Sequence, residues 1–133
     1  MEDQYISFDV AKLLSEHWFN EPCKTSYSKL DKKLEETAIS DWGKVNQYKA
    51  PTQSLAMRWL REEYNLFIEI QCYGCEADEK AHFEFSYVIS EYVQIDNKIC
   101  TTVGLEEKKA KSQFKSYEEA CEAAIKYCLE NIL

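Results

Sequence analysis

The chain has 133 residues, 16 Lys+Arg against 24 Asp+Glu, and a net charge of −8; hydrophobic residues make up 45% and aromatics 14%, with 3 Gly and 2 Pro. That size suits one domain with a core of its own, and the composition excludes disorder, collagen-like repeats and a loop-dominated disulfide scaffold. The acidic balance opposes nonspecific attraction to nucleic acid or anionic lipid.

The N-terminus, Met1-Glu2-Asp3-Gln4, is acidic where a secretory signal needs a basic start, and no stretch approaches the roughly 20 apolar residues of a membrane span. A cytoplasmic location is expected, and with it six reduced cysteines. Ser7 suits a helix N-cap, with Asp9 in the first turn and a stripe of Val10, Leu13, Leu14, His17 and Trp18 after it. Pro22 stops that helix. From Cys23 to Ala50 the pattern is weak. Thr25-Ser26-Tyr27-Ser28 and Val45-Asn46-Gln47-Tyr48 read as short strands around a charged middle of Asp31 to Glu36, with a turn at Trp42-Gly43.

Pro51 is expected at the first position of a second helix, whose stripe is Leu55, Ala56, Trp59 and Leu60 and whose end is a left-handed Asn65. A strand follows with Leu66, Ile68, Ile70 and Cys72 on its core face; Gly74 to Lys80 reads as an acidic turn. Phe83, Phe85, Tyr87 and Ile89 then mark a second, antiparallel strand. A third extended stretch holds Tyr92, Val93 and Ile95, the turn Asp96-Asn97, and Ile99 to Val103. After a polar loop with Lys108, Lys109, Lys111 and Lys115, the capping box Ser116-Tyr117-Glu118-Glu119 opens a last helix. Its stripe is Tyr117, Ala120, Cys121, Ala124, Ile125, Cys128, Leu129 and Ile132. The expected fold is one α+β domain over residues 1–133, in the order α-(ββ)-α-β-β-β-α. An antiparallel sheet of at least three strands packs against the Pro51 and Ser116 helices.

Ile6 to Leu14, the turn Phe19-Asn20-Glu21-Pro22-Cys23, the block Ala50 to Leu55 with Trp59-Leu60-Arg61-Glu62, and Ser116 to Ala120 with its helix form a pattern that spans the chain. In this pattern the chain resembles a group of small uncharacterised proteins common in Bacteroidetes genomes, often in phage-like or mobile regions. The resemblance implies an origin and a single domain, and supplies no site. The Cys72/Cys75 segment and the lysine loop stand outside it.

No catalytic, cofactor-binding or metal-binding residue is assigned by the sequence. Cys72-Tyr73-Gly74-Cys75 offers two thiolates, but a structural zinc needs four ligands, and only scattered Cys100, His82, Cys121 or Cys128 could complete the set. A redox dithiol wants a helix N-terminus rather than the end of a strand. His17 and His82 lie far apart without a partnered nucleophile, and neither a Gly-rich phosphate loop nor a nucleophile elbow is present. Lysines 108, 109, 111 and 115 offer a nucleic-acid-binding loop, similar in placement to that of double-stranded RNA-binding domains. The helix beside it carries Glu118, Glu119, Glu122 and Glu130, which repel phosphate. What remains is a non-enzymatic accessory protein acting through protein contacts, with a protein partner or a second copy of itself; the nucleic-acid module is the alternative. Trp18, Trp42 and Tyr48 are the aromatics from which an exposed binding patch would be built.

Overall fold

A computed structural model describes residues 4–36, 47–75, 82–102 and 114–133. Trp42, Lys108, Lys109 and Lys111, and the side chains of Cys75, His82 and Cys100, lie outside the described residues.

Helix α1, Phe8–Glu16, starts where Ser7 Oγ accepts from the Val10 amide at 3.3 Å. It buries Val10, Ala11 and Leu14. Its end is a Schellman turn: the Trp18 amide donates to the Ser15 carbonyl and the Phe19 amide to the Leu14 carbonyl. Trp18 occupies the left-handed position of that turn, at φ 63°. The apolar stripe therefore stops short of the expected Trp18, because the turn carries this residue off the helix face into solvent.

Strands β1 (Thr25–Ser28), β2 (Leu34–Glu36) and β3 (Gln47–Lys49) form an antiparallel sheet in the order β2-β1-β3. The sequence pattern marks only two strands here; the third, β2, is exposed throughout and takes its order from the ladder with β1.

Helix α2 spans Gln53–Tyr64. Its cap is Thr52, whose Oγ1 accepts from the Leu55 amide at 3.2 Å, so Pro51 lies before the helix and not at its first position. Pro51 instead joins the segment to the N-terminal strand residues. Its carbonyl accepts from the Ile6 amide, beside an antiparallel bridge between Tyr5 and Thr52. Ala56, Trp59 and Leu60 are buried, and Asn65 ends the helix at φ 56°, as its side chain suggests.

Strands β4 (Leu66–Cys75), β5 (His82–Ile95) and β6 (Lys98–Thr102) make a second antiparallel sheet, an up-and-down meander in the order β4-β5-β6. β4 continues through Gly74 and Cys75, where the sequence suggests a turn. β5 runs unbroken through Tyr92 and Val93, so the third extended stretch is the end of β5 plus β6. Asp96 and Asn97, at φ 48° and 64°, make the two-residue hairpin between them, both positive as a type I′ turn requires.

Helix α3, Tyr117–Tyr127, opens with the Ser116 half of the predicted capping box, its Oγ accepting from the Glu119 amide at 3.1 Å, while the Glu119 carboxylate accepts from the Lys115 amide, one residue before the cap. It buries Ala120, Cys121, Ala124 and Ile125, while Tyr117, expected in that stripe, is half exposed. Residues Cys128–Ile132 widen into a π-helical turn. The protein is thus α+β, with antiparallel sheets packed against helices. It divides into two compact units, Met1–Ala56 with Lys126–Leu133, and Met57–Ile125. The first has a core around Ile6, Val10, Leu14 and Leu129; the second around Leu60, Leu66, Ile89 and Ile125.

Candidate functional site

In the first unit the end of α1, the turn after it and strand β3 enclose an open cleft of about 520 Å³. Leu14 and Ser15 come from α1, Trp18, Phe19 and Asn20 from the turn, and Gln47, Tyr48 and Lys49 from β3. The cleft has an aromatic wall and a polar one. On the polar side Lys49 Nζ donates to Asn20 Oδ1 at 3.0 Å, and Gln47 Nε2 donates to Glu35. Burial pulls the Lys49 ammonium below its ordinary pKa, against the opposing pulls of Cys23 and Glu21.

Next to the cleft, which Tyr48 lines, the Phe8 ring meets Tyr27 and Tyr48 edge-on, at 5.8 and 5.6 Å between centroids. Two lysines of the β1–β2 turn fold over these rings. Lys29 Nζ lies 4.6 Å from the Tyr48 centroid and Lys32 Nζ 5.3 Å from that of Phe8, both within cation–π range. Lys32 sits at φ 58°, a backbone conformation that brings the turn round sharply.

Trp18 is the anomaly of this surface. Its surface is 89% exposed, whereas Trp59 is 5% exposed. The position after a helix C-cap favours glycine, because a side chain in the left-handed region crowds the backbone. Trp18 thus combines a strained backbone with a large apolar side chain in water, and neither stabilises the fold. Trp18 and Tyr48, two of the three aromatics named from sequence, converge on one cleft.

The other candidates fare differently. Positions 72 and 75 lie on one continuous strand, three residues apart in its register. Cys72, expected on the core face, is exposed near the end of β4, where it pairs with Phe85. Cys75 occupies the register position opposite His82, and Cys100 the one opposite Val93. Cys23, Cys121 and Cys128 are buried thiols outside any disulfide, and burial raises the first two to about 11. Among the described residues no cluster of three His, Cys, Asp or Glu could hold a metal ion. His17 serves the fold: its Nε2 lies 2.8 Å from the Leu129 carbonyl, tying the end of α1 to the π-helical turn. Lys115 is exposed and its amide donates to the Glu119 carboxylate.

In the second unit exposed Phe67, Tyr73 and Ile99 share one face of the β4-β5-β6 sheet, with the Phe67 ring 4.5 Å from that of Tyr92, and Phe83 lies on the face that carries Tyr87 and Ile89; no described cleft joins them as one does Trp18 and Tyr48. No described helix is long and apolar enough to cross a membrane. No family model, curated protein or solved structure matches the chain.

Proposed function

We propose that this chain is a small non-enzymatic accessory protein that acts through protein–protein contacts, with the cleft beside Trp18 as its contact surface. The observation that carries this reading is the placement of an almost fully exposed tryptophan in a left-handed turn position. Tryptophan is enriched among residues that dominate binding energy, and such anchors enter pockets on a partner while neighbouring polar groups form the rim. Here Asn20, Gln47 and Lys49 supply that rim. A cytoplasmic setting suits a chain whose Cys72 stands exposed as a thiol, and the phage-like Bacteroidetes resemblance belongs to the same reading.

The test compares tagged wild-type and Trp18→Gly chains, expressed in the native cell, by quantitative mass spectrometry of what each retains. A protein recovered at least tenfold better by the wild type supports the reading. Identical recoveries, or retention of nucleic acid alone, contradict it.

A further inference from the structure

We propose that the cleft takes an acidic segment of a protein partner, an apolar side chain of that segment packing against Trp18 while flanking carboxylates face Lys49 and Lys29. This rests on the contact-surface reading above and adds the chemistry of the partner.

The sign of charge around the cleft supports it. The chain as a whole carries −8, yet the described residues lining the cleft include one cation, Lys49, and no carboxylate. Lys29 and Lys32 add two ammonium groups over the adjoining Tyr48 and Phe8 rings, and a ring-bound ammonium keeps N–H donors for a second acceptor. Glu21, which acts on Lys49, and Glu35, which accepts from Gln47, are among the carboxylates at its margin, and Glu16 follows the lining residue Ser15. Among the described residues lining the cleft the charge is positive, opposite in sign to that of the chain as a whole, so an acidic segment meets less repulsion there than the net charge implies. Such an arrangement selects register and orientation more than it adds raw affinity. A basic partner would be attracted to the acidic helix α3 at least as strongly.

The shape agrees. An open cleft of about 520 Å³ is large enough for one or two side chains of a passing segment, and among the described residues its mouth is bounded by β3 and a turn. Single-stranded nucleic acid also combines aromatic stacking with cations, but three lysines and no arginine at this site, on a chain of net charge −8, give a counterion-release term too small for useful affinity.

The test is a selection from a displayed random twelve-residue peptide library by the full-length chain, with peptides that also bind Trp18→Gly removed. Selected peptides are then measured by fluorescence anisotropy at low and high salt against wild type, Trp18→Gly, and Lys29→Glu combined with Lys49→Glu. A twenty-residue oligothymidylate is measured in parallel. The expected result is enrichment of Asp and Glu around an apolar residue. Binding should weaken at least fivefold at high salt, about 30-fold in Trp18→Gly and about tenfold in the double charge reversal, with far-UV circular dichroism unchanged in both variants. Peptides that need Trp18 but are neutral or basic overturn the acidic assignment and leave the contact-surface reading standing. If no peptide needs Trp18, or if the oligothymidylate binds through Trp18 instead, both are overturned.

Discussion

Replacing Trp18 by glycine should leave the protein as stable as before or make it more stable. Its two local effects have opposite signs and can be weighed. With 89% of its surface in water, Trp18 buries only about 25 Å² of the roughly 250 Å² of a tryptophan side chain. At about 25 cal/mol/Å² its removal forfeits about 0.6 kcal/mol. Relief of the left-handed conformation, φ 63°, returns about 1–2 kcal/mol, of which the greater freedom of glycine in the unfolded chain takes back about 0.5 kcal/mol. The expected net change lies between zero and about 1 kcal/mol in favour of the variant, or a rise in melting temperature of up to about 4 °C. Trp18→Ala separates the two effects. It makes the same loss of burial and keeps the strain, so it should be less stable than Trp18→Gly by about 1 kcal/mol. Urea unfolding followed by far-UV circular dichroism measures all three proteins, with the slope of the transition held constant as the check on two-state behaviour. A loss above about 1 kcal/mol in Trp18→Gly, or an alanine variant more stable than the glycine one, would refute the view that this tryptophan does not serve the fold.

Three further outcomes are expected. Exposed Cys72 should react with iodoacetamide or a disulfide reagent long before buried Cys23, Cys121 and Cys128, as peptide mass spectrometry of a time course would show; equal rates would contradict the burial. Because the fold raises the Cys23 and Cys121 thiols from 9.0 to about 11, their contribution to stability is intact below pH 9 and is lost as the pH rises to 11, which a series of urea midpoints from pH 8 to 11 would register. Thr52→Ala and Ser116→Ala each remove a side-chain acceptor from a helix N-terminus, and each should lower stability by about 1 kcal/mol, additively in the double variant, as urea unfolding would measure.

What the sequence made legible follows the range of the interactions involved. Ser7, Ser116, Asn65 and Asp96-Asn97 act on backbone within a few residues of themselves, and each does in the structure what its chemistry suggests. Alternation within β4 and β5 also marked the second sheet, since a period of two is a local property. Strand β2 escaped because Leu34-Glu35-Glu36 has neither apolar alternation nor a turn signal of its own; its conformation is imposed by Thr25 to Tyr27 across the ladder. Pro51 misled because Thr52, one residue later, offers a better cap, and the Pro51 carbonyl is held by Ile6 from the far N-terminal end of the chain. Helical periodicity placed Trp18 with Leu14 on a buried stripe, and only the Schellman hydrogen bonds show that the chain has already left the helix there. The cleft itself was illegible: Asn20 and Lys49 are 29 residues apart in sequence, and nothing in either neighbourhood announces the 3.0 Å contact that closes its polar wall.

If the face bearing Trp18 and Tyr48 is the one that meets a partner, site-specific photo-crosslinking will show it most directly. A benzophenone side chain is placed singly at position 18, at position 48, and, as exposed controls in the second unit, at positions 99 and 117. After irradiation of the native cell, positions 18 and 48 should give the same protein adduct, and positions 99 and 117 should not. Adducts confined to positions 99 or 117, or adducts at position 18 that consist of nucleic acid, would contradict it.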